Sequence, residues 1–410
     1  MNQPLFLHIV ERLEGFLGRL PASIQKPVLH ELTPLKELFL KQRVPRFVLT
    51  GSDKFPLQEV VATLFASAEP GDLRDVLMEV FRWQNTSVAG HGTVALLDAR
   101  GAEEATLRKI EAELQREPAD FFFHLVDGTR ARPILARDIE NLAALIVCNS
   151  SPEGRAKVIG ISLAAPERPL TPEQNGKSSA ANRLGVQSRL EAALTEKAAV
   201  REHFLQVLEL PIASMRSAET AATAAAVRFM ALLARELPNE ARVEMVRISR
   251  DRKAQAEIAQ VLVKSTSAIC AAIGAQPIPL ADLPILTTLQ LVMVSGIMHI
   301  AGRERSLRAA TEFVAALGVN VGAGMVLREG ARAVLKFFPG WGNVVCGMVA
   351  GAGTYAVGKA ASVYFLEGVS LKDARRTYFA SRKKSPVPKL LQQPLREKER
   401  LRNDGESTRL

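Results

Sequence analysis

The stretch RFVLTGSDKFPLQEVVATLF, residues 46–65, decides the fold of the first half of the chain. Five residues with the composition of a buried strand, RFVLT, run into a turn that begins at Gly51. A helical pattern, EVVATLF, follows Pro56. A strand, a glycine turn and a helix in this order form the first half of a β-α-β unit. The stretch therefore predicts a parallel sheet that begins at residue 46.

Further short apolar runs continue this pattern. They are VALLD (94–98), FFFHLV (121–126) and KVIGISL (157–163), with helical stretches between them. Their alternation predicts an α/β domain whose mostly parallel sheet is covered on both faces. A loop rich in proline and polar residues is expected at 165–182. No strand pattern is recognised beyond it, and amphipathic helices are predicted at 184–209, 217–237 and 239–263.

The turn after the first strand has the spacing of a phosphate-binding loop but not its chemistry. That loop reads GxxxxGK[ST], because backbone amides and a lysine hold phosphates while a hydroxyl binds magnesium. Gly51 stands at the first glycine, but Pro56, Leu57 and Gln58 replace the second glycine, the lysine and the hydroxyl. Proline lacks the amide donor and leucine lacks the charge. Only Lys54, within the loop, remains as a cation for phosphate.

A second nucleotide-related spacing follows the run at 94–98. VALLDARG places Asp98 at the end of the run and Gly101 three residues later. This is the DxxG spacing with which GTPases hold magnesium through water. The alternative is an aspartate that closes a strand before a glycine turn. The Asn-Lys-x-Asp that reads guanine is missing, since KVIGISL runs into AAPE (164–167). The candidate nucleotide contacts are therefore Gly51, Lys54, Asp98 and Gly101, all vestigial, and no catalytic or metal-binding residue is assigned.

The C-terminal half contains long apolar runs. Between Lys264 and Arg303 the only charge is Asp282, in a proline-rich turn between two stretches near the length that crosses a bilayer. This predicts a helical hairpin with Asp282 at its turn. A second uncharged run, 337–358, contains six glycines, and some of them have a spacing that permits close helix contact. Basic residues flank the runs, which favours a cytoplasmic location for both hairpin ends. The alternative is the buried core of a soluble helical domain.

These motifs resemble two known families. The order of strand, turn, helix, DxxG and further strands makes residues 46–165 similar to a diverged Era-like GTPase domain of the P-loop superfamily. Residues 277–369 resemble the YcjF-type domain of unknown function, which often follows a GTPase domain in bacterial proteins. The shared features are the prolines around Asp282, Gln290 with Met293, Pro-Gly-x-Gly at 339–342, and Gly358 before Tyr364 and Phe365. The resemblance implies a membrane-linked bacterial protein and assigns it no biochemical task.

Composition adds limits on function. The three cysteines are scattered without metal-site or disulfide spacing, which indicates a reducing compartment. The histidines show no catalytic pairing, and His91, between two glycines, is expected to be structural. Residues 372–410 hold 12 Lys/Arg against 5 Asp/Glu. This basic tail is either a solvated segment or a contact for anionic lipid or, less favoured, for nucleic acid.

Together these observations predict an α/β plus all-α protein, with a mostly parallel sheet of the P-loop GTPase type followed by a helical, apolar C-terminal domain. The expected divisions are an N-terminal helical segment (1–45), the degenerate GTPase-like domain (46–165), a linker with amphipathic helices (166–256), the YcjF-type domain (257–371) and the basic tail (372–410).

The expected function is that of a pseudo-GTPase on the cytoplasmic side of the bacterial inner membrane, which acts as an interaction module for an unknown protein partner. No cofactor is expected, and an oligomer is possible. Two alternatives remain open. One is an active GTP or ATP hydrolase that uses Lys54, Asp98 and magnesium, and the other is nucleic-acid binding through the basic tail.

Overall fold

The computed structural model describes residues 29–33, 35–65, 81–88, 92–128, 134–149, 156–164, 177–212, 219–275, 282–317 and 341–383. The chain forms two compact units. The α/β unit comprises Arg43–Ser249, and the helical unit comprises Met1–Gln42 with Arg250–Leu410. The predicted N-terminal helical segment lies mostly outside the described residues, as do His91 and most of the basic tail.

The α/β unit is built on a six-stranded sheet. Its strands are β1 (Arg46–Gly51), β2 (Gln84–Val88), β3 (Gly92–Asp98), β4 (Phe121–Asp127), β5 (Lys157–Ala164) and β6 (Phe204–Pro211). The strand order is β2-β3-β1-β4-β5-β6, with β2 antiparallel to β3 and every other pair parallel. The predicted α/β class with a mostly parallel sheet is therefore confirmed.

Helices connect and cover these strands. They are α1 (Leu57–Phe65), α2 (Glu104–Arg116), α3 (Ala136–Cys148), α4 (Lys177–Glu196), α5 (Glu219–Glu236) and α6 (Asn239–Ser249), with a single helical turn at Ala198–Arg201. Parallel strands require such crossovers, which bury both faces of the sheet.

Strand β4 shows why the sheet has two buried faces. All seven of its residues are buried, so its sequence lacks the alternation of a half-exposed strand. Phe121 and Phe123 pack against Phe47 of β1, with ring centroids 6.3 and 5.0 Å apart, and Phe123 also meets Phe229 of α5 at 5.3 Å. Phe122 points to the opposite face, into the cluster formed with α2, α3 and α4. Consecutive phenylalanines therefore fill two different cores.

An ion pair closes the amino ends of β1 and β4. Arg43 donates two hydrogen bonds to the carboxylate of Asp120, at 2.8 and 2.6 Å. The backbone amide of Arg46 donates to the same carboxylate at 2.9 Å, and the Asp120 side chain is only 4% exposed. Bidentate arginine–carboxylate pairs combine charge with fixed geometry. This end of the sheet is therefore held together by internal partners.

The sequence-based predictions near β6 were wrong in part. The helix expected at 184–209 ends at Glu196, and β6 follows at Phe204–Pro211. FLQVLEL has apolar spacings that suit a helix as well as a strand. Its hydrogen bonds with β5 stabilise the strand conformation. The loop expected at 165–182 is also shorter, because α4 already begins at Lys177. Strand β2, QNTSV, had no apolar pattern to predict it.

The single helix predicted at 239–263 is two helices. The chain breaks at Arg250, whose φ is +52°, and Asp251 caps the next helix by accepting hydrogen bonds from the amides of Lys253 and Ala254. An aspartate at this position is a helix-start signal that the apolar periodicity concealed.

The main part of the helical unit begins after this break. It contains α7 (Arg252–Gly274), α8 (Asp282–Ile300), α9 (Leu307–Ala316), α10 (Trp341–Phe365) and α11 (Leu371–Lys383), together with a π-helical segment at Lys36–Leu40. The predicted helical C-terminal region is confirmed, and residues 371–383 of the basic, charge-rich end belong to a regular helix.

Helices α7 and α8 form an antiparallel pair around the predicted break. Helix α7 ends at Gly274 and α8 begins at Asp282, while the side chain of Gln255 at the start of α7 donates to the carbonyl of Ile300 at the end of α8, at 3.0 Å. The side chain of Asp282 and residues 276–281 lie outside the described part, so its role at a membrane turn stays a prediction.

Only α7, among the described helices, is long and apolar enough to cross a bilayer. Its most apolar 18-residue window has a mean hydropathy of 1.3, and 67% of that window is buried within the structure. Buried core helices of soluble proteins pass the same test, and the apolar part of α8, Ile285–Ile300, is shorter. The membrane hairpin and the soluble core therefore both stay predictions.

Glycine allows α10 to lie close to α7. A Cβ on Gly347 would lie 2.6 Å from the carbonyl oxygen of Ala271 and 2.9 Å from the Cβ of Ala275. Real Cβ atoms essentially never approach a backbone oxygen so closely, so any larger residue must push the helices apart. Gly353 of the same helix faces open space instead.

We predict that Gly347→Ala destabilises the helical unit by about 1–3 kcal/mol, because the added methyl group overpacks a contact with rigid backbone. Gly353→Ala is the matched control, and it should stabilise the same helix by up to about 1 kcal/mol through helix propensity. Urea unfolding followed by circular dichroism measures both. Equal effects of the two variants would contradict the close approach.

Candidate functional site

The carboxyl ends of β1, β3 and β4 surround a cleft of about 360 Å³. Open parallel sheets bind their ligands at this edge, where neighbouring crossovers leave in opposite directions. Here β1 lies between β3 and β4, at such a point. The cleft is lined by Gly51, Ser52, Asp53, Lys54, Gly101, Ala102, Asp127, Leu135, Arg137 and Asp138.

The loop from Gly51 to Pro56 forms one wall of the cleft. Gly51 has a φ of +89°, and a Cβ there would lie 2.3 Å from the carbonyl oxygen of Leu125 in β4. Glycine is required because L-residues rarely adopt this φ and no side chain fits. The amide of Ser52 donates to the same carbonyl at 2.9 Å. The first amide of the loop is therefore bound to the sheet and does not point to a ligand.

The cation of the loop is paired with an aspartate of β4. The Nζ atom of Lys54 lies 2.6 Å from an Oδ atom of Asp127. The Asp127 side chain is only 2% exposed, whereas that of Lys54 is 41% exposed. A buried carboxylate requires a compensating cation. Recruiting Lys54 to an anionic ligand would therefore remove a partner from a buried charge.

Asp98 is bound by an arginine two residues away. Arg100 donates from Nε to one Asp98 oxygen and from Nη2 to the other, both at 2.8 Å, and its amide also donates to Asp98 at 3.2 Å. Its Nη1 donates to the carbonyl of Phe55 in the loop at 2.8 Å. The Arg100 side chain is only 5% exposed. One guanidinium thus neutralises Asp98 and fastens the loop to the end of β3.

The remaining charges of the cleft are mixed in sign. The carboxylate of Asp53 lies against Gly101, whose φ is +64° and whose added Cβ would be 2.9 Å from an Asp53 oxygen. Across the cleft, burial raises the pKa of Asp138, the nearby Asp53 carboxylate raises it further, and Arg137 opposes both. Three aspartates therefore face Lys54 and Arg137, which is unfavourable for a polyphosphate.

A histidine lies beneath the start of the loop. His124 of β4 is buried, and its Nδ1 lies 3.1 Å from the Oγ1 atom of Thr50. Burial lowers its pKa from 6.5 to about 4, because the imidazolium would lose its hydration. His124 is therefore a neutral packing residue near neutral pH.

The four nucleotide-contact candidates lie at this edge of the sheet. Gly51, Lys54 and Gly101 line the cleft, and Asp98 ends β3 beside it. Sequence reasoning missed Asp127 and Asp138, which belong to no motif, and the role of Arg100, which stands inside the DxxG spacing. Among the described residues, no group of three or more His, Cys, Asp or Glu side chains is arranged to hold a metal ion.

No protein-family model matches the sequence, and no match was found among curated proteins. The geometry of the cleft is therefore the basis for assigning a function.

We predict that the α/β unit loses stability as the pH falls from 6.5 towards 4. In that range the unfolded chain binds a proton at His124 that the folded unit excludes, so acid favours unfolding. A pKa of about 4 against 6.5 corresponds to roughly 3 kcal/mol, which is fully lost only near pH 4.

Urea unfolding followed by Trp83 fluorescence, in a Trp341→Phe background, measures this loss. His124→Gln should flatten the pH dependence, and His30→Gln is the control for loss of an exposed imidazole. An unchanged slope in His124→Gln would contradict the assignment.

Proposed function

We propose that the α/β unit is a GTPase-related domain that no longer binds or hydrolyses nucleotide and acts as an interaction module. The sheet order β2-β3-β1-β4-β5-β6, with an antiparallel β2, supports a relationship to P-loop GTPases together with the spacing of Gly51, Asp98 and Gly101. The main support for a loss of nucleotide binding is that the Arg100 guanidinium occupies both carboxylate oxygens of Asp98.

Arg100 takes the position beside Asp98 that a magnesium ion would need. The guanidinium satisfies both carboxylate oxygens, and a metal ion would have to displace it from a nearly buried site. It also satisfies the Phe55 carbonyl, so its displacement would release the loop. With Pro56, Leu57 and Gln58 in the adjacent positions, the loop lacks the lysine and the hydroxyl with which P-loop proteins hold phosphate and magnesium.

The surface of the cleft suits an interaction role. Leu135 at its rim is 60% exposed, and Val147 at the other end of α3 is 72% exposed. Protein interfaces combine an apolar centre with a polar rim, and Leu135 next to the charged groups of the cleft has this arrangement. The proposed partner is therefore a protein that contacts the α3 side of the cleft.

We further propose that the helical unit associates the protein with a bacterial membrane. The support is the apolar composition of α7 and α8 and the lack of a charged residue between Lys264 and Arg303 other than Asp282. Fractionation of cells into soluble and membrane pools tests this part of the proposal independently of the cleft.

Fluorescent GTP and ATP analogues are expected to show no saturable binding to the full chain in the presence of magnesium, because the loop and Asp98 are internally bound. Equilibrium titration followed by fluorescence anisotropy measures this. Micromolar affinity that Asp98→Ala abolishes would favour the alternative of an active hydrolase and overturn the proposal.

Arg100→Ala is expected to lower the free energy of unfolding of the α/β unit by about 2 kcal/mol, because Asp98 loses its cation and the Phe55 carbonyl its donor. Adding Mn²⁺ should recover part of this loss in the variant only. Arg137→Ala is the matched control, since Arg137 lines the same cleft without contacting Asp98, and its effect should stay within about 0.5 kcal/mol. Equal Mn²⁺ stabilisation of the unmodified protein would contradict a resident guanidinium.

A further inference from the structure

Helix α11, Leu371–Lys383, is anchored to the helical unit along one side. Ser370 caps it, with its Oγ accepting from the amide of Asp373 at 3.2 Å and donating to the Asp373 carboxylate at 2.7 Å. Ala374 and Tyr378, one helical turn apart, are 0% and 7% exposed, and the helix packs against α10. These contacts determine which face of α11 points outward.

The outward face combines cations with an exposed aromatic ring. Lys372, Arg375 and Arg376 are exposed, and Phe379 is 52% exposed. Successive helical residues turn by about 100°, so Phe379 projects between Lys372 and Arg375. Among the described residues, neither of these two cations forms an ion pair. The one acidic residue of the helix, Asp373, is bonded to Ser370 and lies 3.7 Å from Arg376.

This combination fits the boundary between lipid head groups and acyl chains. There a phenylalanine leaves water, while lysine and arginine bury their methylene groups and keep their charges among the head groups. Anionic lipids contribute attraction that each cation near the surface strengthens. We infer that the outward face of α11, with Lys372, Arg375, Arg376 and Phe379, docks onto an anionic bilayer surface. This inference rests on the proposed membrane association and names the surface responsible for it.

Nucleic acid is the competing occupant for a basic helix face, and the geometry disfavours it. Proteins that hold single strands combine a basic groove with successive stacking rings. Helix α11 presents a convex face, and the ring of Tyr378, next to Phe379, is buried. One exposed ring serves insertion into a bilayer better than stacking of consecutive bases.

The test uses the full chain and two kinds of vesicle, one of phosphatidylcholine alone and one of equal parts of phosphatidylcholine and phosphatidylglycerol. Flotation should show binding to the anionic vesicles that weakens with salt and is absent from the neutral ones. The double variant R375Q/R376Q should bind about 25-fold more weakly, at about fivefold per cation. Phe379→Ser should weaken binding by about tenfold, because roughly half of the ring is available for burial.

Two exposed residues elsewhere provide matched controls. Arg308→Gln removes a cation that is 90% exposed in α9, and Val227→Ser removes an apolar side chain that is 45% exposed in α5. Both should bind anionic vesicles like the unmodified protein. Circular dichroism on every variant verifies that the helices remain.

Three results would overturn the inference. The first is vesicle binding that neither α11 variant changes, and the second is equal affinity for neutral and anionic vesicles. Either result would exclude this face of α11. Membrane association through the apolar helices would remain possible in both cases. The third is tighter binding to duplex DNA than to anionic vesicles, together with DNA binding that Phe379→Ser does not change. That result would assign the face to nucleic acid. None of these results bears on nucleotide binding by the α/β unit.

Discussion

Burial of β1 and β4 on both faces is the constraint on which the α/β unit depends. Strands that are covered on two sides cannot carry polar side chains outward, so their charged neighbours collect at the two ends of the sheet. At the amino end, Arg43 and Asp120 satisfy each other in a compact bidentate pair. At the carboxyl end, the polar groups surround a cleft. The same packing therefore produces a closed end that stabilises the fold and an open end where a ligand site would lie.

Lys54 and Asp98 at the open end are paired within the protein, whereas the corresponding groups of a nucleotide site are available before the ligand binds. A site for nucleotide keeps its donors and its metal-binding carboxylate available, and the ligand supplies the missing partners. Here Lys54 neutralises Asp127, and Arg100 neutralises Asp98 while holding the loop by its Phe55 carbonyl. A ligand that uses Lys54 or Asp98 would have to compete with an interaction that is already made inside the protein.

Much of the sheet could be predicted from sequence, for a definite physical reason. The runs at 46–50, 94–98, 121–126 and 157–163 became β1, β3, β4 and β5, because central parallel strands are continuous apolar segments between turns. Strand β2 was not predicted, because an edge strand tolerates polar residues and its sequence has no apolar pattern. Strand β6 was not predicted, because its apolar spacing also suits a helix. In both cases pairing with a neighbouring strand supplies the deciding hydrogen bonds: β3, which follows β2 directly in the chain, and β5, which lies about 40 residues before β6.

The site was predictable to a similar extent. Motif spacing placed Gly51, Lys54, Asp98 and Gly101 at one edge of the sheet, since the carboxyl ends of parallel strands converge there. It gave no indication of Asp127, which becomes a partner of Lys54 only after β1 and β4 pair. Arg100 was visible beside Asp98, but its side-chain direction depends on the Phe55 carbonyl, 45 residues earlier. A resident guanidinium differs from a metal ion in that it is part of the chain, so it stays beside Asp98 whatever the ion concentration of the solution. An ion that binds Asp98 must therefore compete with a cation that is always present there, and it must also release the Phe55 carbonyl.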